Sequence, residues 1–134
     1  MTLTSAYPVL MTSNVSAAAE FYRTIFGFED TFTSDWYVSL RRDQWELALL
    51  DASHETVPQS HRGAVASGVL INFEVSDVDT EWERISRMSE VTIALPIRTE
   101  DFGQRHFIVV GPDGVLVDVI APIEPSPEFS QQFS

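Results

Sequence analysis

The chain repeats one arrangement of strands and helix twice, and this repeat constrains its fold more than any single motif. In the first half the strand-like segment "YPVLMTS" precedes the helical segment "NVSAAAEFYRTIFG". In the second half "VLINFEVS" precedes "DVDTEWERISRM". The segments at which the two helices begin, "SNVSAAAEFY" and "SDVDTEWERI", are similar in sequence. Each half therefore predicts a strand, a helix and two or three further strands, which makes the chain an α+β protein.

Both helices carry recognisable boundary signals. Asn14 and Asp77 are suitable N-caps, and Gly27 is placed to end the first helix in the left-handed conformation. Apolar residues at helical spacing define the inward face of each helix. The inward residues are Ala18, Phe21, Tyr22 and Ile25 in the first helix and Val78, Trp82 and Ile85 in the second.

Each half ends in a predicted hairpin. "WYVSL" and "WELALL" flank the turn "RRDQ", and "RHFIVV" and "VLVDVIA" flank "GPDG". If Gly114 takes the left-handed bulge position, the second turn is a three-residue loop and His106 shares a face with Asp118. A four-residue loop would turn Arg105 toward that face instead, and the sequence leaves both alternatives open.

A carboxylate lies in the middle of the apolar run "GVLVDVIAP". Burying Asp118 is costly unless a group pairs with it, binds it or hydrates it. Aligning the two halves by their last strands makes Glu46 equivalent to Asp118, and alternation places both on the strand face without a helix. If the two sheets curve around one another, both carboxylates face a shared cleft. A two-residue turn in the first hairpin would place Tyr37 and Ser39 beside Glu46 and Ala48.

The predicted organisation is one domain made of two βαβββ modules that form a curved mixed sheet around a cleft. The boundaries are residues 5–52 for the first module, 53–67 for a linker, 68–122 for the second module and 123–134 for a tail. The tail is expected to be loose unless Phe129 and Phe133 dock it. Trp36, Trp45 and Trp82 are expected in the core.

Charge and composition limit the classes of partner that the chain is expected to bind. Eight Lys and Arg residues against 20 Asp and Glu residues give a net charge of −12, which disfavours nucleic acid and anionic membranes. There is no cysteine, so disulfide and thiol chemistry are excluded. The start of the chain does not resemble a signal peptide, and its apolar runs are too short to span a bilayer, so we expect a cytoplasmic protein.

The segments "SAAAEFYRTIFGFE" and "GPDGVLVDVIAP" resemble the vicinal oxygen chelate superfamily, which includes glyoxalase I, extradiol dioxygenases and bleomycin-resistance proteins. The stretch "FGQRHFIVVGPDG" is most similar to bleomycin-resistance-like members. The resemblance implies that the metal-ligand positions of metal-dependent members fall on Tyr7, Glu46, Leu70 and Asp118. Leucine offers no donor atom, so we expect no metal and no other cofactor.

The favoured hypothesis is a metal-free protein that sequesters a small, partly aromatic molecule, which can be cationic. Its alternatives are a metal-dependent lyase, isomerase or dioxygenase, a metal-free enzyme using Asp118 and His106 as acid and base, and a family member with no small-molecule role. The candidate ligand-binding residues are Tyr7, Tyr37, Glu46, Asn72, His106 and Asp118.

Two further expectations concern assembly and stability. The resemblance implies a homodimer, and a half-module that cannot close its own sheet agrees with it. Asp118→Asn should be tolerated if Asp118 has no partner, whereas a large loss of stability would indicate a structural partner such as Arg105.

Overall fold

The computed structural model describes residues 1–130 and the side chains of residues 1–128, and it separates into two compact units, Met1–Ser67 and a second that begins at Gly68. Each unit is a βαβββ module, so the predicted α+β class is confirmed. The first unit contains β1 (Val9–Thr12), α1 (Val15–Phe26), β2 (Glu29–Thr33), β3 (Tyr37–Arg42) and β4 (Trp45–Asp51). The second contains β5 (Leu70–Glu74), α2 (Val78–Ile85), β6 (Thr92–Glu100), β7 (Gln104–Val110) and β8 (Leu116–Pro122), followed by α3 (Pro127–Ser130).

The two sheets have the same topology. Their strand orders are β1-β4-β3-β2 and β5-β8-β7-β6. In each sheet the first strand runs parallel to the last, and the other neighbours are antiparallel. The curved sheet and shared cleft expected from the sequence concern how the units combine and stay a prediction.

Both N-caps and the end of α1 are those predicted, whereas α2 ends at Ile85, before the predicted segment ends at Met88. Asn14 accepts a hydrogen bond from the Ala17 amide at 3.0 Å, and Asp77 accepts one from the Thr80 amide at 3.1 Å. Gly27 ends α1 with φ of 70°, a left-handed conformation in which a side chain would be strained. No helix within residues 1–130 combines the length and apolar character needed to cross a membrane.

Each helix covers one face of its own sheet. The core of the first unit includes Leu10, Ala18, Ala19, Tyr22, Ile25, Val38, Leu40, Leu47 and Leu49, all buried. The core of the second includes Val78, Ile85, Phe107, Val109, Val117 and Val119. The alternation of these residues along the strands leaves a second, helix-free face on each sheet.

The tryptophans differ in environment, and the core prediction is wrong for one of them. Trp45 is 65 % exposed, because it is the first residue of β4 and lies next to the exposed turn, opposite Arg42. Trp82 is half-buried and packs edge-on against Phe107, with ring centroids 5.2 Å apart. Trp36 is half-buried and stacks on His54 at a centroid distance of 3.8 Å.

The segments outside the strands have defined contacts. Between the modules, Val57 is buried, and Arg62 donates hydrogen bonds to the carbonyl groups of Val57 and Glu55. After β8, the Ile123 amide donates to the Gly103 carbonyl at 2.9 Å, which attaches the start of the tail to the β6–β7 turn. The predicted docking of Phe129 and Phe133 lies outside the side chains that the structure describes.

Candidate functional site

The loop between β7 and β8 decides which side chains share the face of Asp118. The Gly111 amide donates to the Val115 carbonyl at 2.6 Å, which closes a three-residue loop, residues 112–114. Asp113 and Gly114 both have positive φ, 57° and 79°, so this loop uses two left-handed residues where the sequence suggested one. The pairing is the one expected for a three-residue loop.

That pairing places His106 and Asp118 on the helix-free face. Ile108 lies opposite Asp118, and His106, opposite Ile120, is two pairs further along the ladder and so on the same face. Phe107 points to the opposite face, where it meets Trp82 of α2. The alternative in which Arg105 faces Asp118 is therefore wrong.

Arg105 belongs to the helix side of the sheet. Its guanidinium donates to the Asp79 carboxylate of α2 at 2.8 Å and to the Thr99 hydroxyl at 3.0 Å. These bonds attach α2 to β7 and β6. The structural partner suggested for Asp118 in the sequence analysis is thus occupied elsewhere.

Four charged side chains on the helix-free face form a continuous hydrogen-bonded row, here called the His106 cluster: Arg98, Glu100, His106 and Asp118. His106 Nδ1 lies 2.7 Å from Asp118 Oδ1, and His106 Nε2 lies 2.8 Å from Glu100 Oε2. Arg98 Nε donates to the same Glu100 oxygen at 2.7 Å. The row thus runs from β8 through β7 to β6.

Exposure increases along this row. Asp118 is 4 % exposed and His106 is 6 % exposed, so both are buried. The Glu100 side chain is 20 % exposed and that of Arg98 is 57 % exposed. The cluster therefore connects a buried carboxylate to solvent through a buried imidazole.

Hydrogen bonding determines the protonation state of His106. Carboxylate oxygens only accept, so two bonds to two carboxylates need a proton on both ring nitrogens. Burial alone would lower the pKa of His106, but its hydrogen bonds to Glu100 and Asp118 outweigh burial and raise that pKa above its usual value. The pKa of Glu100 is lowered, first by the bond from His106 and then by that from Arg98. The hydrogen-bond geometry and the direction of the pKa shift both favour the imidazolium form of His106.

Of the six predicted ligand-binding residues, the structure groups three in the second unit. Asn72 on β5 is the direct neighbour of Asp118, and its side chain is exposed on the same face. His106 completes this group. Leu70, on the same strand face as Asn72, is 50 % exposed.

The other three predicted residues lie in the first unit. Tyr7 precedes β1 and is 50 % exposed, Tyr37 is half-buried beside Phe32, and Glu46 is exposed. The cross-strand partner of Glu46 is Arg41, whereas Tyr37 lies opposite another residue of β4. Sequence interpretation assigned Arg41 to the turn and so missed the cation beside Glu46.

Sequence interpretation also missed Glu100 and Arg98. Both lie on β6, where Pro96 and two register shifts interrupt the pairing with β7. Proline in an apolar segment argues against a regular strand, so local patterns do not predict a strand there. The spacing of two residues between Arg98 and Glu100 was the available signal, because it places both on one strand face.

The donor groups do not fit a metal ion. Within the described part of the chain, no group of three or more His, Asp or Glu side chains is arranged to hold one. Both ring nitrogens of His106 are engaged by carboxylates, and Leu70 has no donor atom. Of the Asp118 carboxylate, Oδ1 is engaged by His106, and Asn72 beside it on β5 is the neutral neighbour.

A polar surface cavity of about 440 Å³ lies in the first unit. None of the six predicted residues lines it. The lining residues are Gly27, Glu29, Asp30, Thr31, Arg41, Arg42 and Asp43. Two of its charges are already paired: Asp30 accepts two bonds from Arg23, and Arg42 donates to the Phe26 carbonyl at the end of α1. We therefore base the candidate site on the His106 cluster.

Comparison with known proteins gives a family match over most of the chain. The model of the Glyoxalase/Bleomycin resistance protein/Dioxygenase superfamily matches residues 4–119. No curated protein matches the sequence.

Solved structures share the fold at low sequence identity. A glyoxalase/bleomycin resistance protein/dioxygenase from Nocardioides is 24 % identical, with a TM-score of 0.77 over 95 % of this chain and 89 % of that one. A lactoylglutathione lyase from Agrobacterium tumefaciens is 22 % identical, with a TM-score of 0.69 over 89 % and 94 %. A glyoxalase-related enzyme from Fulvimarina pelagi is 18 % identical, with a TM-score of 0.70 over 89 % and 88 %.

Proposed function

Because the chain belongs to the glyoxalase/bleomycin resistance protein/dioxygenase superfamily, we propose that it binds a small organic molecule without using a metal, in the manner of the bleomycin-resistance-like members. The ligand contacts the helix-free face of the second unit at Asn72, His106 and Asp118. Tyr7, Tyr37 and Glu46 are the proposed ligand-binding residues of the first unit.

The observation that supports this proposal is a buried ionic cluster with exposed neighbours on the same strand face. His106 and Asp118 are buried, while Leu70 and Asn72 on the adjacent strand are exposed. Binding sites combine apolar surface with a few oriented polar groups, and this face offers both. Asp118 Oδ2 and the Asn72 amide are the groups that would orient the ligand.

The charges of the site bear on whether the ligand has to be a cation, as the sequence suggested. Two free carboxylates would attract a cation, but Asp118 is hydrogen-bonded to the His106 imidazolium and Glu46 lies opposite Arg41. We therefore propose a ligand that donates N–H or O–H hydrogen bonds to Asp118, whether or not it carries a positive charge.

A catalytic role is the second candidate, and the bonds of His106 argue against it. A general acid or base must reach the proton that it transfers. Both nitrogens of His106 are already bonded to carboxylates, so acid–base catalysis would require one of these bonds to break. The lactoylglutathione lyase and the glyoxalase-related enzyme are less than 25 % identical to this chain. At that identity a shared fold does not indicate a shared activity.

A thermal-shift screen of antibiotics and other small aromatic hydrogen-bond donors tests the proposal. A ligand raises the unfolding midpoint in proportion to the logarithm of its concentration above Kd. The shift should be lost in Asp118→Asn and kept in Glu83→Gln, a control on the exposed surface of α2. No shift with any compound, or conversion of a compound to product, would contradict binding without catalysis.

A further inference from the structure

We propose that the His106 imidazolium is the resident counter-ion of this site, supplying the positive charge that its buried carboxylate would otherwise take from a bound metal ion. The inference rests on the proposed metal-free site and deepens it. It assigns His106 a positioning role: the ring holds Asp118 and Glu100 in fixed orientations and leaves a site to which a divalent ion has no favourable access.

Burial makes such a counter-ion necessary. Asp118 is 4 % exposed and sits among the apolar residues of β8. A buried carboxylate must be paired or bound to a metal to remain charged. His106, itself 6 % exposed, is the cation in hydrogen-bond contact with it.

The geometry leaves His106 no lone pair for a metal. Its two ring nitrogens lie 2.7 and 2.8 Å from carboxylate oxygens, distances typical of charge-assisted hydrogen bonds. An imidazole binds metal through an unprotonated nitrogen. Coordination at His106 would therefore cost both a proton and a bond to Glu100 or Asp118.

The charges of the cluster also cancel. Arg98 and His106 are positive, and Glu100 and Asp118 are negative, so their sum is zero. Arg98 is bonded to Glu100 at the solvent-exposed end, and the neighbour of Asp118 on β5 is the neutral Asn72. A divalent ion would have to enter a cluster without net negative charge, which is unfavourable compared with its hydration in water.

Nitrogen NMR of the wild-type protein tests the protonation state directly. With ¹⁵N-labelled histidine at neutral pH, the His106 imidazole should carry protons on both ring nitrogens, and its signals, assigned by their disappearance in His106→Gln, report this state. A neutral tautomer at His106, with one unprotonated ring nitrogen, would overturn the inference. This result needs only the protein alone, so it does not depend on finding a ligand.

Metal addition and substitution test the counter-ion role. Zn²⁺, Ni²⁺ or Mn²⁺, each added alone to the wild-type protein, should leave the unfolding midpoint unchanged, and stoichiometric binding would overturn the proposal. His106→Gln should lower the folding equilibrium constant roughly 10- to 100-fold, and adding Asp118→Asn should restore part of it by removing the unpaired charge. The matched control is His61→Gln, since His61 is exposed and contacts Ser60.

The outcomes separate the two proposals. Equal stability of His106→Gln and His61→Gln would overturn the counter-ion role, and if His106→Gln does not fold, the wild-type NMR spectrum decides. If a ligand binds but His106 is neutral, only the counter-ion role is overturned. An intact imidazolium in a protein that binds no ligand would overturn the proposed function alone.

Discussion

At the scale of single residues, the site depends on one histidine between two carboxylates. The question raised by Asp118 in its apolar strand has a structural answer: it accepts a 2.7 Å hydrogen bond from His106. Replacing Asp118 would be harmless only if it had no partner, and His106 is its partner. Both the stability and the pH response of the protein should therefore depend on this pair.

Asp118→Asn is expected to lower the free energy of unfolding by about 1–2 kcal/mol. The asparagine amide can still accept a hydrogen bond, but the charge that stabilises the imidazolium is lost, and bonds involving charged groups contribute about 1.5–3 kcal/mol. Urea unfolding at neutral pH measures the change. Glu83→Gln, which removes an exposed ion pair with Arg87, should change stability by less than about 0.5 kcal/mol. Equal effects of the two substitutions would contradict a structural role for the His106–Asp118 bond.

The raised pKa of His106 predicts a loss of stability at alkaline pH. Burial opposes the charged form, but the bonds to Glu100 and Asp118 favour it more, so the folded state holds the proton more tightly than the unfolded chain. This contribution is complete below the unfolded pKa of about 6.5 and is lost as the pH rises through the folded pKa. The difference in unfolding free energy between wild type and His106→Gln should shrink from pH 6 to pH 9. A constant difference would show that His106 stabilises the fold without its charge.

At the scale of elements, the β6–β7 turn joins the cluster to the tail. Gly103 has φ of 114°, and a Cβ there would lie 3.0 Å from the Ile123 carbonyl oxygen. Glu100 lies three residues earlier, and its backbone carbonyl accepts a hydrogen bond from the Gly103 amide. Its carboxylate is the group that bonds to His106 Nε2. The backbone of this turn therefore sets where the outer carboxylate of the cluster lies.

Gly103→Ala should destabilise the protein by more than Gly68→Ala. Gly68 also has positive φ, 67°, but a Cβ there has no neighbour within 4 Å among the described residues. The control thus carries the cost of about 1–2 kcal/mol for a side chain in the left-handed conformation without the clash. Unfolding in urea compares the two variants, and histidine NMR should show a change at His106 only in Gly103→Ala. Identical behaviour of the two would contradict the proposed coupling between the turn and the cluster.

At the scale of the whole molecule, each unit has a four-stranded sheet with two open edges. The edge strand β2 is exposed along its length, and Tyr7, Val9 and Leu70 are large apolar residues that are exposed near the other edges. Exposed strand edges and apolar side chains favour association. These features support the homodimer expected from the sequence, which remains a proposal.

Sedimentation velocity at micromolar concentration should show a species of about twice the chain mass of 15.0 kDa. The net charge of −12 opposes self-association through long-range repulsion, so the dimer fraction should increase when salt is raised from low to moderate concentration. Leu70→Asp should weaken the dimer if the β5 edge takes part, with Glu74→Asp, on the same strand face, as the control. A monomer at every salt concentration would contradict the proposal.

The sequence by itself determined the two helices and the two closing hairpins, and it left His106 and Arg105 as the alternatives for the face of Asp118. The internal repeat, the caps Asn14 and Asp77, and the short loop after β7 act over a few residues, where steric limits and nearby hydrogen bonds decide the conformation. The loop establishes the register of β7 and β8, and side chains alternate along strands, so the length of this loop decides which of the two shares the face of Asp118.

Only the tertiary structure decided what completes the cluster. Glu100 reaches His106 across a strand pair that Pro96 and two register shifts distort, and no local rule counts residues through such irregularities. The exposure of Trp45 and the pairing of Arg41 with Glu46 likewise depend on which strands meet and what covers them. Local interactions are set by neighbours along the chain, whereas the environment of a buried charge is set by residues that folding brings together.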